Sequence, residues 1–110
     1  MRTSTSAIVA RNETWTGQAA TEPYEAGWAQ EAVIFVRSLK TPAGAQGYAR
    51  VEISPDGMNW VAEGTEIALP AEKDAVAFAR ISHFGTWLRL AASLPEGSAT
   101  TVLVTIHLKS

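Results

Sequence analysis

Val51-Glu52-Ile53-Ser54-Pro55-Asp56-Gly57-Met58-Asn59-Trp60-Val61 decides the fold class. Val51 and Ile53 alternate with Glu52 and Ser54, the two-residue period of a strand with one face buried. Ser54-Pro55-Asp56-Gly57 then fits a type I turn, with Pro at its second position and Gly at its fourth. Asn59 to Glu63 reads as the return strand, with Trp60 pointing inward to pin the hairpin to the core. Pro55, Asp56, Gly57 and Trp60 are therefore structural residues, and Asp56 makes the turn through its own side chain.

The same alternation recurs on both sides of this hairpin. Ser6 to Arg11 reads as a first strand that Asn12 to Gly17 extends after a break, Trp15 being a buried or half-buried anchor. Gln18 to Gly27 shows no period and reads as a loop. Glu31 to Lys40 is the clearest strand: Ala32, Ile34 and Val36 share one face, and Val33, Phe35, Arg37 and Leu39 the other. Apolar groups on both faces mark a central strand, or one covered by another chain. Thr41 to Gly44 turns, Gly47 to Ser54 alternates, and Glu66 to Leu69 is a further short strand. Ala75 to His83 and Thr86 to Ala92 alternate again, and Thr100 to Lys109 closes the chain with Val102, Val104, Ile106 and Leu108 facing in. Seven to eight strands, turn signals every 8–12 residues and no helical period give an all-β chain. The expected fold is a single antiparallel β-sandwich or jelly roll over 1–110, with 1–16 as an N-terminal arm or first edge strand.

A chain of 110 residues can bury a core without disulfides or metals. Its charged residues amount to 18 %, below the usual share of roughly 25 %, which hints at a surface covered by a partner. The net charge of −2 comes without a Lys/Arg run, so nucleic-acid binding lacks its electrostatic footprint. With no cysteine, thiolate catalysis and Cys-ligated zinc are excluded. The N-terminus lacks the apolar segment of a secretory signal. Apolar runs such as Ala32 to Val36 fall far short of the roughly 18 residues of a spanning helix. No membrane partner is expected, and the location is the virion if the protein is viral and the cytoplasm otherwise.

Neither histidine has a catalytic setting. Ser82 adjoins His83, but alternation sends neighbours to opposite faces, and His107 has no partner in sequence. No catalytic, metal-binding or cofactor residues are assigned, and the protein is read as not an enzyme. The candidate contact residues are aromatic: Trp15, Trp28, Tyr24, Phe35 and Trp87, types enriched where proteins meet partners. Arg80 and Arg89, in apolar company, are expected to pair with Glu52 or Glu66 across a sheet.

Ser54-Pro55-Asp56-Gly57-Met58-Asn59-Trp60 resembles the S-x-D-G-x-x-W hairpin of discoidin-like sandwiches and of small β-sandwich proteins of tailed-phage particles. Trp87-Leu88-Arg89-Leu90 is similar to the aromatic-x-Arg-Leu strand that follows it in both. The likeness spans Val51 to Leu108. Discoidin domains carry a cysteine pair and long ligand loops that this chain lacks, which makes the phage-particle proteins the nearer fit. That resemblance implies a head-decoration or other accessory structural subunit. Its partners would be a second copy of itself (a homo-oligomer) and a capsid or other assembly lattice. The alternative is a carbohydrate-binding module in which Trp15, Trp28 or Trp87 stacks on sugar rings.

Overall fold

A computed structural model describes residues 3–110; Met1 and Arg2, part of the expected arm, lie outside the described residues. Among the described residues, nine strands form two antiparallel sheets. They are β1 (Ser4–Trp15), β2 (Gln18–Ala20), β3 (Tyr24–Glu25), β4 (Glu31–Ser38), β5 (Tyr48–Ser54), β6 (Val61–Ala68), β7 (Val76–Ser82), β8 (Trp87–Ser93) and β9 (Thr100–Lys109). The first sheet has the order β1-β9-β4-β7. The second has the order β2-β8-β5-β6, with β3 also pairing β8. The chain passes back and forth between the sheets, so strands distant in sequence become neighbours. That nested order is the jelly roll.

The core lies between the sheets, and strand alternation builds it. Ile34 and Val36 of β4 and Val102, Val104, Ile106 and Leu108 of β9 are fully buried. They meet Val51 of β5 and Leu88 and Leu90 of β8, also fully buried, from the facing sheet. At roughly 25 cal/mol per Å² of apolar surface removed from water, these interdigitated rows dominate the folding free energy.

Three local readings are corrected. Gln18 to Gly27 is not all loop, since β2 and β3 both pair with β8. Between them the ladder is bridged by Thr21, whose Oγ1 accepts the Leu90 N–H at 3.1 Å; a polar residue at that spot hid the strand pattern. Asn59 to Glu63 and Glu66 to Leu69 are not two strands either. They merge into β6, because Gly64, at φ 117°, absorbs a bulge that sequence reads as a break. Trp60 precedes β6 and does not enter the core. It is half-buried, with the Arg89 guanidinium 4.3 Å from its ring centroid.

The hairpin turn is as its residues require. Asp56 Oδ1 accepts the N–H groups of Met58 and Asn59, each at 2.9 Å, and Oδ2 accepts the Asn59 side-chain amide at 2.8 Å. Ser54 Oγ accepts the Gly57 N–H at 2.9 Å. Gly57 has φ 79°, and a Cβ there would sit 3.3 Å from the Trp87 ring. Conformation and space both demand glycine.

Candidate interaction surface

Because β4 is central, flanked by β9 and β7, its inner side chains fill the core while its outer ones lie on an open sheet face. Register then assembles a transverse row on that face. Ile8 of β1 pairs with Thr105 of β9, Thr105 with Phe35 of β4, and Phe35 with Phe78 of β7. A second row beside it runs Ser6, His107, Val33, Arg80, and a third runs Leu103, Arg37, Val76. Ile8 is 44 % exposed, Phe78 51 % and Val76 55 %. Phe35 and Phe78 stack at 5.9 Å between centroids, and the His107 ring meets Phe35 edge-on at 5.2 Å. The outcome is a contiguous apolar patch with aromatic rings at its centre, the composition associated with contact surfaces.

The patch has a polar rim. Arg37 and Asp74 form an exposed ion pair at 3.0 Å. Arg80 lies 5.2 Å from the Phe78 ring centroid, a cation–π contact. Beside these, an open depression of about 430 Å³ is lined by Glu31, Val33, Arg80, Ser82, His107 and Lys109. Ser6 Oγ and His107 Nδ1 are 2.9 Å apart. Among the described residues no carboxylate bonds to that ring, so the pair lacks the third group that orients a nucleophilic triad. Among the described residues, too, no group of three or more metal-ligating side chains comes together.

The outer face of the second sheet has a different chemistry. Glu52, 7 % exposed, lies between two arginines. Its Oε1 accepts from Arg89 Nε at 2.7 Å and its Oε2 from Arg50 Nε at 3.0 Å. Arg50 also donates to Ser93 Oγ at 3.0 Å, and Ser93 donates to Gln18 at 3.0 Å. The expected pairing of Arg89 with Glu52 is present. Arg50 joins it from two residues away on the same face of β5 and reaches diagonally to Ser93, which the register sets opposite Tyr48. Arg80 takes the aromatic contact in place of a carboxylate.

The sequence candidates fall in separate places. Trp15 is 3 % exposed and belongs to the core, removed from any surface contact. Tyr24, half-buried on β3, packs against the core. Trp28 is 41 % exposed in the turn before β4. Trp87 is half-buried on the second sheet against Gly57. Phe35 alone sits within the apolar patch. Its neighbours Ile8 and Phe78 carry no signal of their own in sequence; only the pairing register brings them together.

No protein-family model and no curated protein matches the chain in sequence. Solved structures do match in fold. The SPBc2 prophage-derived protein YomS is similar with a TM-score of 0.66 at 11 % identity, covering 100 % of this chain and 96 % of that one. The PBSX exported protein XepA is similar with a TM-score of 0.59 at 8 % identity over 98 % of this chain, which spans 36 % of XepA. PirA is similar with a TM-score of 0.51 at 12 % identity, covering 96 % and 92 %. At such identities the likeness establishes a shared β-sandwich architecture.

Proposed function

We propose that the protein is a non-enzymatic structural subunit of a larger assembly, a virion accessory or capsid-decoration protein that docks through the outer face of the β1-β9-β4-β7 sheet. The observation that carries this reading is the apolar row Ile8–Thr105–Phe35–Phe78, open to solvent on a sheet whose other face is packed. An isolated domain gains nothing from exposing Ile8 and Phe78 beside a half-buried Phe35 in one row; a subunit with a covered face does. The likeness of the fold to prophage-derived proteins supports the viral setting, as an analogy of architecture.

Size-exclusion chromatography with light scattering, followed by co-sedimentation with phage particles, tests the reading. The wild-type chain is expected to co-sediment, and Ile8→Lys and Phe35→Lys variants to stay in the supernatant. A strictly monomeric protein that co-purifies with no particle overturns it.

A further inference from the structure

The two sheets end in four edges, and three of them are blunted. In β1 the register jumps between Ile8 and Ala10 and again between Ala10 and Glu13, with Asn12 at φ 50°. β6 is bulged at Gly64 and carries Glu63 and Glu66. β2 and β3 have three and two residues and are separated by Pro23. Such bulges, charges, prolines and short lengths are how sheet edges avoid pairing with other chains. β7 has no bulge and no proline, and it is not short. Its seven residues, Val-Ala-Phe-Ala-Arg-Ile-Ser, run in unbroken register with β4 and include one charge.

The direction of its backbone groups follows from one bond. Ser38 N–H donates to the Ala75 carbonyl at 3.1 Å, so that pair is hydrogen-bonded. Antiparallel pairs alternate, which directs Ala77, Ala79 and Ile81 toward β4 and aims the N–H and C=O groups of Val76, Phe78, Arg80 and Ser82 at the open edge. Those groups are a template for a further strand.

We infer that the strand taken up is β7 of a second copy, antiparallel about a two-fold axis at Ala79, joining two four-stranded sheets into one. This rests on the assembly-subunit reading above and names one of its partners. Three registers keep open-edge groups facing open-edge groups near the strand centre. With the axis at Arg80, the two Arg80 side chains stand directly opposite and repel. With the axis at Phe78, the overlap shortens and Arg80 faces Val76. With the axis at Ala79, all of β7 pairs, and Arg80 of each copy stands opposite Phe78 of the other. A guanidinium against the negative face of an aromatic ring is the favourable combination, and it extends the contact that Arg80 and Phe78 already make within one chain. On the inner face Ala77 meets Ile81, and Ala79 meets Ala79, so small residues make room at the axis.

The register has a covalent test, because the chain has no cysteine. Ala79 of the two copies forms a non-hydrogen-bonded pair, with Cα atoms about 4.5 Å apart, inside the range a disulfide accepts. Ala77 of the two copies lies about 13 Å apart, four residues along the ladder at roughly 3.3 Å each. Under mild oxidation, Ala79→Cys is expected to give a reducible dimer of twice the chain mass, and Ala77→Cys to remain single. A wild-type protein monomeric at every concentration with an Ala79→Cys variant that does not cross-link overturns the inference, as does equal cross-linking of Ala77→Cys. Failure here is distinct from failure of the docking face: Ile8→Lys and Phe35→Lys lie off β7 and are expected to leave the Ala79→Cys dimer intact.

Discussion

The outer faces of the two sheets make an instructive pair. On the second, Glu52, Arg50, Arg89, Ser93 and Gln18 satisfy one another, and Arg89 also covers one side of the half-buried Trp60. On the first, Ile8 and Phe78 flank a half-buried Phe35 in one row, with Val76 in the next row but exposed like them, and this apolar surface stays open. Both faces belong to sheets packed on the same core, so the difference is chemical. Polar groups complete their bonding within one chain, whereas exposed apolar groups can be covered only from outside. The charged centre of the second face is thereby paired within the chain, with Tyr48 exposed at its margin, while the first face leaves its apolar residues open to solvent.

The sharpest way to break this contrast is at Glu52. Glu52→Ala leaves two arginines without their carboxylate. Loss of one partner from a well-buried pair costs about 3–5 kcal/mol. Because both arginines reach solvent, at 36 % and 26 % side-chain exposure, the expected loss is about 2 kcal/mol, read from urea unfolding. A loss below about 0.5 kcal/mol would place the network among ordinary surface ion pairs and remove the contrast.

A smaller effect is expected at the hairpin beside this face. The backbone N–H groups of Asn59 and Met58, then the side chains of Asn59 and Ser54, hold the Asp56 carboxyl well below its ordinary value of 3.8. A depressed folded-state value means stability that is present above pH 3.8 and lost as pH falls toward the folded value. Asp56→Ala should lower the thermal midpoint at pH 7, and the gap between variant and wild type should narrow steadily below about pH 4. A gap that is constant down to pH 2 would show that the carboxylate's charge contributes nothing.

The smallest change in stability belongs to the open face. Ile8→Lys, on a side chain already 44 % exposed, should alter unfolding by no more than about 0.5 kcal/mol while abolishing particle binding. A variant that unfolds readily would make Ile8 a folding residue and the patch an ordinary sheet surface. Trp15→Ala sharpens the point from the opposite side: at 3 % exposure it should cost about 3–5 kcal/mol, although sequence ranks Trp15 and Phe35 as equals.

Legibility follows the range of the cause. Alternation is a property of neighbours, so β4, β5, β7, β8 and β9 are readable from their own residues to within a residue or two at their ends. Trp60 misleads because alternation places it on the return strand, whereas it precedes β6 and lies against the Arg89 guanidinium. Gly64 misleads because a bulge and a turn use the same residue. Trp15 is ambiguous because a tryptophan's chemistry suits a core and an interface alike.

By itself, then, the sequence determined an all-β chain, its turn chemistry at Ser54 to Gly57, and which residues on each strand share a face, since these depend on contacts a few positions apart. Only the tertiary structure decided which strands are neighbours. The row Ile8–Thr105–Phe35–Phe78, the Arg50–Glu52–Arg89 network and the unprotected edge of β7 all follow from the order β1-β9-β4-β7 and β2-β8-β5-β6. That order is set by how two sheets bury one core together, a condition on the whole chain that no single stretch contains.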